Sequence, residues 1–291
     1  MRFTVFTPLY NRSNYLDRIY ESLKKQSFKD FEWVIVDDGS NDDPEKIINN
    51  YIEEDTLKIV FFEQKNKGKH FAINKGLEFA EGEYFYIVDS DDFLPDDALL
   101  VLNQKISTIS DKSGFAGVAG RTMNHDRIIL GTQFEQDISC SSIDIRYRYK
   151  ITGDLAEVFK TEILKKYKFP EISGEKFCPE ALVWNRIAEN HKLLFFNLPI
   201  YICEYLPGGL SDKIVKIRMD SPQATMLTYS ELYKHNIPLI SKIKSLINFW
   251  RFSFNSEMSF NKKLKQVPNW STIFIPLCYL IYLKDKSNYK S

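Results

Sequence analysis

The sequence is poor in the features that mark secreted, membrane-spanning or metal-stapled chains. Only four cysteines occur in 291 residues. Cys140, Cys178, Cys203 and Cys278 are scattered, with no Cys-x-x-Cys pair for zinc or a redox dithiol, so reduced thiols in a reducing compartment are expected. Met1 to Leu9 is too short for a signal peptide, is broken by Pro8 and has no small-residue cleavage site, so it reads as a first strand. The tail's apolar run, Ile273 to Leu283, is eleven residues long and contains Pro276, which falls short of the ~20 residues that span a bilayer. Neither the dinucleotide-binding nor the P-loop glycine pattern is present. There is no internal repeat, no low-complexity segment and no net charge. The expected location is cytoplasmic, and nothing in the pattern points to nucleic acid.

What is present is an ordinary globular composition, with 44% apolar, 27% charged and 14% aromatic residues. A chain of this length buries about 75% of its unfolded surface and needs no disulfide to hold a core. The zero charge conceals a split near residue 233. From Lys234 onward ten basic residues face two acids, so the tail carries +8 and the remainder −8. Such a division suggests an acidic body that handles a metal or polar ligand, joined to a basic tail able to meet an anionic surface.

The first half alternates apolar runs with helical patterns, which predicts βαβ units, a mostly parallel sheet and an α/β fold flanked by helices. Strands are expected at Phe3 to Thr7, Trp33 to Val36, Leu57 to Phe62 and Tyr84 to Val88. A helix follows Asn11 with Leu16, Ile19, Tyr20 and Leu23 on one face, and Asp43 with Pro44 announces a second. Others are expected at Lys69 to Ala80, Ala98 to Ile109, Thr161 to Tyr167 and Pro179 to Asn190. Further strands are expected at Phe115 to Ala119, Glu157 to Lys160, Leu193 to Phe196 and Ile200 to Cys203. Periodicity fails between Gly120 and Gly153, a stretch that reads as loops with short strands. The tail shows helical patches around Ile240 to Phe252 and an apolar stretch from Trp270 to Leu283. The domain reading is a catalytic region at 1–233, with a donor half to 110 and an acceptor half from 111, followed by a basic helical extension at 234–291.

The strongest chemical signal is Tyr84-Phe-Tyr-Ile-Val-Asp89-Ser90-Asp91-Asp92, an apolar strand that runs into acids at its carboxyl end. Residues two apart on extended chain point the same way, so Asp89 and Asp91 can converge on one ligand where open α/β sheets bind ligands. Hard oxygens so placed suit magnesium or manganese carrying a diphosphate. Asp96 and Asp97 read instead as the start of the helix that begins at Ala98. Val36-Asp37-Asp38-Gly39-Ser40-Asn41-Asp42 is a second acidic strand end, with Gly39 permitting a tight turn, and Thr7-Pro8-Leu9-Tyr10-Asn11-Arg12 is a third loop on the same edge.

Together these segments, with Asn66 to Gly68 and Ala72-Ile-Asn74-Lys-Gly76, resemble the family 2 glycosyltransferases of the glycosyltransferase-A fold. The resemblance runs over roughly residues 1 to 210 and is strong over the first hundred. It implies transfer of a sugar from a nucleotide-sugar, with UDP as nucleotide, to an acceptor hydroxyl with inversion at the anomeric carbon. It places the nucleoside against the Thr7 and Pro8 loop and Asp38, with Asp89 near the ribose and Asp91, beside Asp89, on Mn2+ or Mg2+. Tyr10, Arg12, Gly39, Lys69, Asn74 and Ser90 complete the implied donor site. By the same resemblance Glu180 stands at the general-base position, with Trp184 and Arg186 in register and Asp154 and Glu175 in reserve; an acid in a first helical turn is favoured in its ionised form.

Two departures stand out. Ile73 occupies a position where many relatives have Arg, so a phosphate contact must come from Lys67, Lys69 or His70. The stretch Glu204 to Gly209 lacks the His that relatives often carry after the last core strand. The histidines His125, His191 and His235 read as isolated.

Alternative readings are a sugar-nucleotidyltransferase, whose Gly-rich phosphate loop is missing, and a catalytically silent nucleotide-sugar-binding or membrane-adaptor protein. The implied acceptor is a carbohydrate or a lipid-linked glycan in surface polysaccharide or glycolipid assembly. In the tail Phe249, Trp250, Phe252, Phe254 and Trp270 interleave with Lys and Arg. Either this segment lies on an anionic membrane at the inner face of the plasma membrane, or it packs on the catalytic domain.

Overall fold

The computed structural model describes residues 1–110, 113–204 and 213–289. The chain folds as two compact units, Met1–Lys168 with Arg186–Tyr205, and Phe169–Asn185 with Leu206–Ser291.

The first unit is built on one sheet of eight strands: β1 (Phe3–Leu9), β2 (Phe31–Asp37), β3 (Ile59–Glu63), β4 (Tyr84–Ile87), β5 (Phe115–Met123), β6 (Ile138–Cys140), β7 (Leu155–Lys160) and β8 (Lys192–Ile202). Their spatial order is β3-β2-β1-β4-β7-β5-β8-β6. β1, β2, β3 and β4 run parallel, β7 is antiparallel to both β4 and β5, and β5 is parallel to β8. The expected strands Leu193 to Phe196 and Ile200 to Cys203 are one strand, because Asn197 to Pro199 is carried by register shifts against β5 rather than ending the pairing.

Helices α1 (Leu16–Lys24), α2 (Pro44–Glu53), α3 (Lys69–Phe79), α4 (Ala98–Ser107), α5 (Ser142–Tyr147) and α6 (Thr161–Lys166) connect these strands. Leu16, Ile19, Tyr20 and Leu23 are the buried stripe of α1, as their spacing requires. They pack in one core with Trp33, Ile35, Tyr86, Val118 and Leu102. On the opposite face Phe6 stacks on Phe85 at 5.0 Å. Gly76 of α3 lies so close that a Cβ there would stand 2.2 Å from the Phe6 ring, which gives the Ala-x-Asn-x-Gly motif a packing role as well. Ile73 is fully buried beside it, so the residue that departs from the resemblance belongs to the core. The helix α5 is a correction to the loop reading of 120–153: Ser141 accepts the Asp144 N–H at 3.0 Å and so caps a helix too short to show periodicity.

The second unit is helical. It contains the start of α7 (Glu180–Ala188) and α8 (Ile214–Asp220), α9 (Pro222–Lys234), α10 (Leu239–Ser253), α11 (Phe260–Leu264) and α12 (Ile275–Asn288). The division separates Phe169–Asn185 from the sheet and groups α9 with the tail rather than breaking after residue 233. The reason is packing, since Met226 of α9 shares a core with Leu246, Phe249 and Trp250 of α10, Val267, and Cys278 of α12. Pro276 sits in the first turn of α12 and starts that helix rather than interrupting it. Among the described residues no helix is long and apolar enough to cross a membrane.

Strand direction leaves the loops after β1, β2 and β4 on one edge of the sheet, and a single carboxylate ties two loops there. Asp38, buried just past β2, accepts Gln64 Nε2 at 2.7 Å and the Lys67 N–H at 2.8 Å on Oδ1, and the Gly68 N–H at 2.6 Å on Oδ2. These bonds hold the segment that enters α3. Asp38→Asn must turn an NH2 group toward one of two backbone donors. Urea unfolding of the ligand-free protein should show a loss of about 1–3 kcal/mol; unchanged stability would mean that the carboxylate has no structural task.

Candidate functional site

The edge is built from its turns inward. Gly39 follows Asp38 at φ +75°, and a Cβ there would meet the Asn66 amide nitrogen at 2.9 Å, so the Asp-Asp-Gly-Ser turn admits only glycine. Asp37 accepts the Ser40 N–H at 3.1 Å and the Ser40 hydroxyl at 2.5 Å. The loop after β1 is sewn to this turn. The Asn11 N–H donates to Ser40 Oγ at 2.8 Å, Asn11 Oδ1 accepts the Asn41 N–H at 2.8 Å, and the Ser13 N–H donates to Asp42 at 2.9 Å.

Thr7 is fully buried and its hydroxyl accepts the Trp33 indole N–H at 2.9 Å. That side chain therefore faces the core. Pro8 is also buried, whereas Tyr10 is exposed and Arg12 partly so.

Past β4 the chain leaves the sheet and its acids separate by environment. Asp89 pairs with Lys69 Nζ at 2.7 Å, so α3 delivers its first residue to the acid. Arg12, from the β1 loop, lies 3.8 Å from the Asp91 carboxylate. Burial first, and the neighbouring Asp89 charge second, raise the Asp91 carboxyl above its ordinary range. Ser90, between these acids in sequence, and Asn74, on α3, are buried. Of the proposed phosphate-facing cations, Lys67 lies over the Phe71 ring at 5.6 Å and His70 is buried; Lys69 is the one seated on an acid of the site.

Sequence reasoning passed over three residues here. Asp92 is buried, accepts the Tyr201 hydroxyl at 2.7 Å and the Glu204 N–H at 3.0 Å, and is pushed up to about 7, chiefly by burial. Tyr201 also accepts the Asp89 N–H at 3.0 Å, so the end of β8 fixes the main chain of the acidic turn. Arg18 of α1 donates to the Asp91 carbonyl, pairs with Glu204 and lies over the Phe93 ring at 5.1 Å. The Asp-Asp pair at 91–92 was the available signal for Asp92, whereas Arg18 carried none, being one charge on an amphipathic helix. His125 is not isolated, because its Nε2 lies 3.2 Å from the Glu204 carboxylate. Tyr205 to Gly209, from which the expected His is missing, lies outside the described residues.

Glu180 opens α7 in the second unit; the helix starts there and not at Pro179, whose carbonyl accepts the Leu182 N–H. Asp154 belongs to the first unit, just before β7, and is exposed. Glu175 has a different task. It is buried and accepts the Gln223 and Ala224 N–H groups at 2.7 and 2.8 Å, capping α9, so this reserve acid is a structural cap.

The donor set suits a hard divalent cation. Burial and then the charge of nearby Asp89 raise the Asp91 carboxyl, which an added positive charge would relieve. Among the described residues no group of three His, Cys, Asp or Glu side chains could hold a metal by itself. The fit is therefore to an ion that takes one or two protein carboxylates and completes its shell with phosphate and water, as Mg2+ and Mn2+ do.

Comparison with known proteins agrees with this construction. The family described as glycosyl transferase family 2 matches residues 4–161. The GalNAc(5)-diNAcBac-PP-undecaprenol beta-1,3-glucosyltransferase of Campylobacter jejuni is 31% identical over 190 residues, covering 63% of this chain and 58% of that protein. An uncharacterized glycosyltransferase of Haemophilus influenzae is 41% identical over 180 residues, covering 60% of this chain and 68% of its own length. Among solved structures, S. aureus TarS 1–349 in complex with UDP-GlcNAc superposes with a TM-score of 0.66 at 20% identity, over 99% of this chain and 89% of that one. A mannosyltransferase from Pyrobaculum calidifontis in complex with GDP-Man and Mn2+ gives 0.59 at 17% identity, over 98% and 88%. These structural likenesses establish the fold. With the matched family covering more than half of its length, the chain belongs to glycosyltransferase family 2 and has the glycosyltransferase-A fold.

Proposed function

We propose that the protein transfers a sugar from a UDP-sugar to an acceptor hydroxyl with inversion at the anomeric carbon. Asp91 and Asp89 would hold Mn2+ or Mg2+, and residues 1–110 and 111–233 would serve as donor and acceptor halves. The observation that carries this reading is the pair Asp89 and Asp91 at the end of β4, faced by Lys69 at 2.7 Å and Arg12 at 3.8 Å. Two carboxylates and two cations on one edge match a ligand that brings both a diphosphate and a metal. The bond from the anomeric carbon to the diphosphate oxygen breaks, the acceptor oxygen bonds to the opposite face of that carbon, and the acceptor proton passes to Glu180 as general base. The bound cation would supply stabilisation of the charge that gathers on the leaving diphosphate. The turn that Asp38 fixes offers its amides to the nucleoside, and Lys69 and Arg12 orient the diphosphate. Support for a carbohydrate or lipid-linked acceptor comes from the Campylobacter relative, whose name specifies an undecaprenol-linked glycan. This chain spans 58% of that relative's length.

The tail reading goes with a lipid-linked acceptor at the cytoplasmic face of a membrane. Leu277, Leu280 and Leu283 recur at helical spacing on an exposed side of α12, Leu280 at 65% exposure; Trp270 and Ile273, the latter 74% exposed, precede the helix, and Lys284 and Lys286 stand in its last turns. Apolar residues beside lysines gain both interfacial burial and Coulomb attraction. The acid in this segment, Asp285, is already paired with Arg251 at 2.6 Å, so the lysines are not neutralised by it.

Asp91→Asn keeps shape but removes a charged oxygen, so calorimetry should show UDP affinity that no longer responds to Mn2+, with the fold intact; metal-dependent binding that survives would overturn the metal assignment. Glu180→Gln should bind UDP as the parent does and transfer sugar at least ~100-fold more slowly. If Asp154→Asn does this and Glu180→Gln does not, the base is Asp154. The full chain should float with liposomes rich in anionic lipid at low salt and be released at high salt, and the double variant Ile273→Ser, Leu280→Ser should not float. Equal flotation of both proteins, or of neither, would remove the tail from membrane binding.

A further inference from the structure

Arg121, on β5, is completely buried, and its guanidinium has no ion-pair partner among the described residues. Of its five N–H donors, one on Nη2 reaches the Leu130 carbonyl, while Nε and Nη1 are buried without an acceptor. The guanidinium carbon lies 5.8 Å from the centroid of the Phe134 ring. The charge that acts on it is another cation, Arg146, which is itself held by the Ile151 and Gly153 carbonyls at 3.1 and 2.6 Å. One carbonyl does not compensate a buried guanidinium, because an unpaired buried charge bears its full desolvation cost.

The ladder says where this charge stands. Val118 and Tyr86 both pair with Val158 and belong to the core on the α1 and α4 side of the sheet. Arg121 is three residues beyond Val118 and so projects from the opposite face, toward the same edge at which Asp89, three residues beyond Tyr86, meets Lys69 of α3. Only β7 lies between β4 and β5, so the two strands that lead to these side chains run about 10 Å apart. That distance is too great for one phosphate to touch both and suitable for two separate groups of one substrate pair.

We propose that Arg121 is the anion-binding residue of an acceptor subsite, and that the acceptor carries a phosphate close to the hydroxyl that receives the sugar. This deepens the proposed function and rests on it for the identity of the acceptor. The unfilled Nη1 lies on the terminal edge that it shares with Nη2 and can reach an oxygen of a phosphate, while the unfilled Nε–H leaves the guanidinium on its other side. Above it Phe134 is half-buried between exposed Gln133 and Glu135, so an incoming anion displaces a ring and no ion pair. Arg146 adds a second positive charge to the same place.

The test uses the full chain and sn-glycerol 3-phosphate as probe, titrated by calorimetry with and without saturating UDP and Mg2+. The parent protein should bind the probe with UDP already in place. Arg121→Lys should bind it about tenfold more weakly, since the fork is lost, and Arg121→Gln should not bind it, both with parental UDP affinity. No binding of the probe by the parent, displacement of the probe by UDP, or undiminished binding in both variants would overturn the subsite. Loss of UDP affinity in the milder Arg121→Lys would likewise overturn it, because the residue would then belong to the donor site or the frame. Failure of the parent to bind UDP, with the probe still held through Arg121, would instead count against the proposed function alone.

Discussion

Everything at the edge of the sheet follows from the burial of β1, β2 and β4 on both faces. All seven residues of β1 and all seven of β2 are buried; a carboxylate inside such a strand needs its own partners, as Glu32 finds in the Thr4 hydroxyl and Lys58. The other acids, Asp37, Asp38, Asp89, Asp91 and Asp92, stand at or beyond the carboxyl ends of β2 and β4, where the backbone can turn. Parallel direction then brings Asp37 and Asp38 to the same side as Asp89, Asp91 and Asp92. The clustering of charge is therefore a product of the apolar core, and the site inherits the rigidity of the sheet beneath it.

Within this frame the acids divide their tasks according to the donors each one meets. Asp37, Asp38 and Asp92 accept hydrogen bonds from the chain itself, and each fixes a turn: Asp37 its own, Asp38 the entry to α3, Asp92 the end of β8. Asp89 and Asp91 face side-chain cations instead, whose long stems can yield to a ligand at little cost, whereas amide bonds of the fold cannot. The distinction between frame and reactive groups thus lies in the partner and not in the residue type.

The parallel half of the sheet was readable because its elements are periodic and their boundaries carry chemistry. Tyr84 to Val88 is apolar at every position, α1 shows a clean stripe, and Pro44 marks a helix start. The acidic strand ends were readable for the same reason. What escaped was set by tertiary partners. The helix α5 is six residues long, less than two turns, and only its Ser141 cap betrays it. The continuity of β8 depends on register shifts against β5 that no local pattern encodes. Thr7 reads as the end of the first strand, but nothing local shows that its hydroxyl accepts the Trp33 indole N–H in the core. Glu175 looks like a free acid until α9, almost fifty residues later, presents its amides. Arg18 is one basic residue on a polar helix face until it meets a carbonyl, a carboxylate and a ring from three other segments.

The charge balance of the site explains why a metal belongs to the proposal at all. A nucleoside diphosphate is an anion, and it would have to approach two adjacent carboxylates, one of them already raised by burial and by its neighbour. Lys69 and Arg12 offset those charges without exceeding them, so the edge offers no surplus of positive potential to a diphosphate. Replacing the acids by neutral residues would create that surplus, and the chain instead keeps both. Carboxylates at a diphosphate site make physical sense when the ligand arrives with a divalent cation, since the pair is then close to neutral and the acids become its anchors. The lysine and arginine freed from the acids can turn to the phosphate oxygens at that same moment. Under the proposed function the two ion pairs would be the resting form of the donor site, and binding would exchange each of them for a contact with the incoming complex.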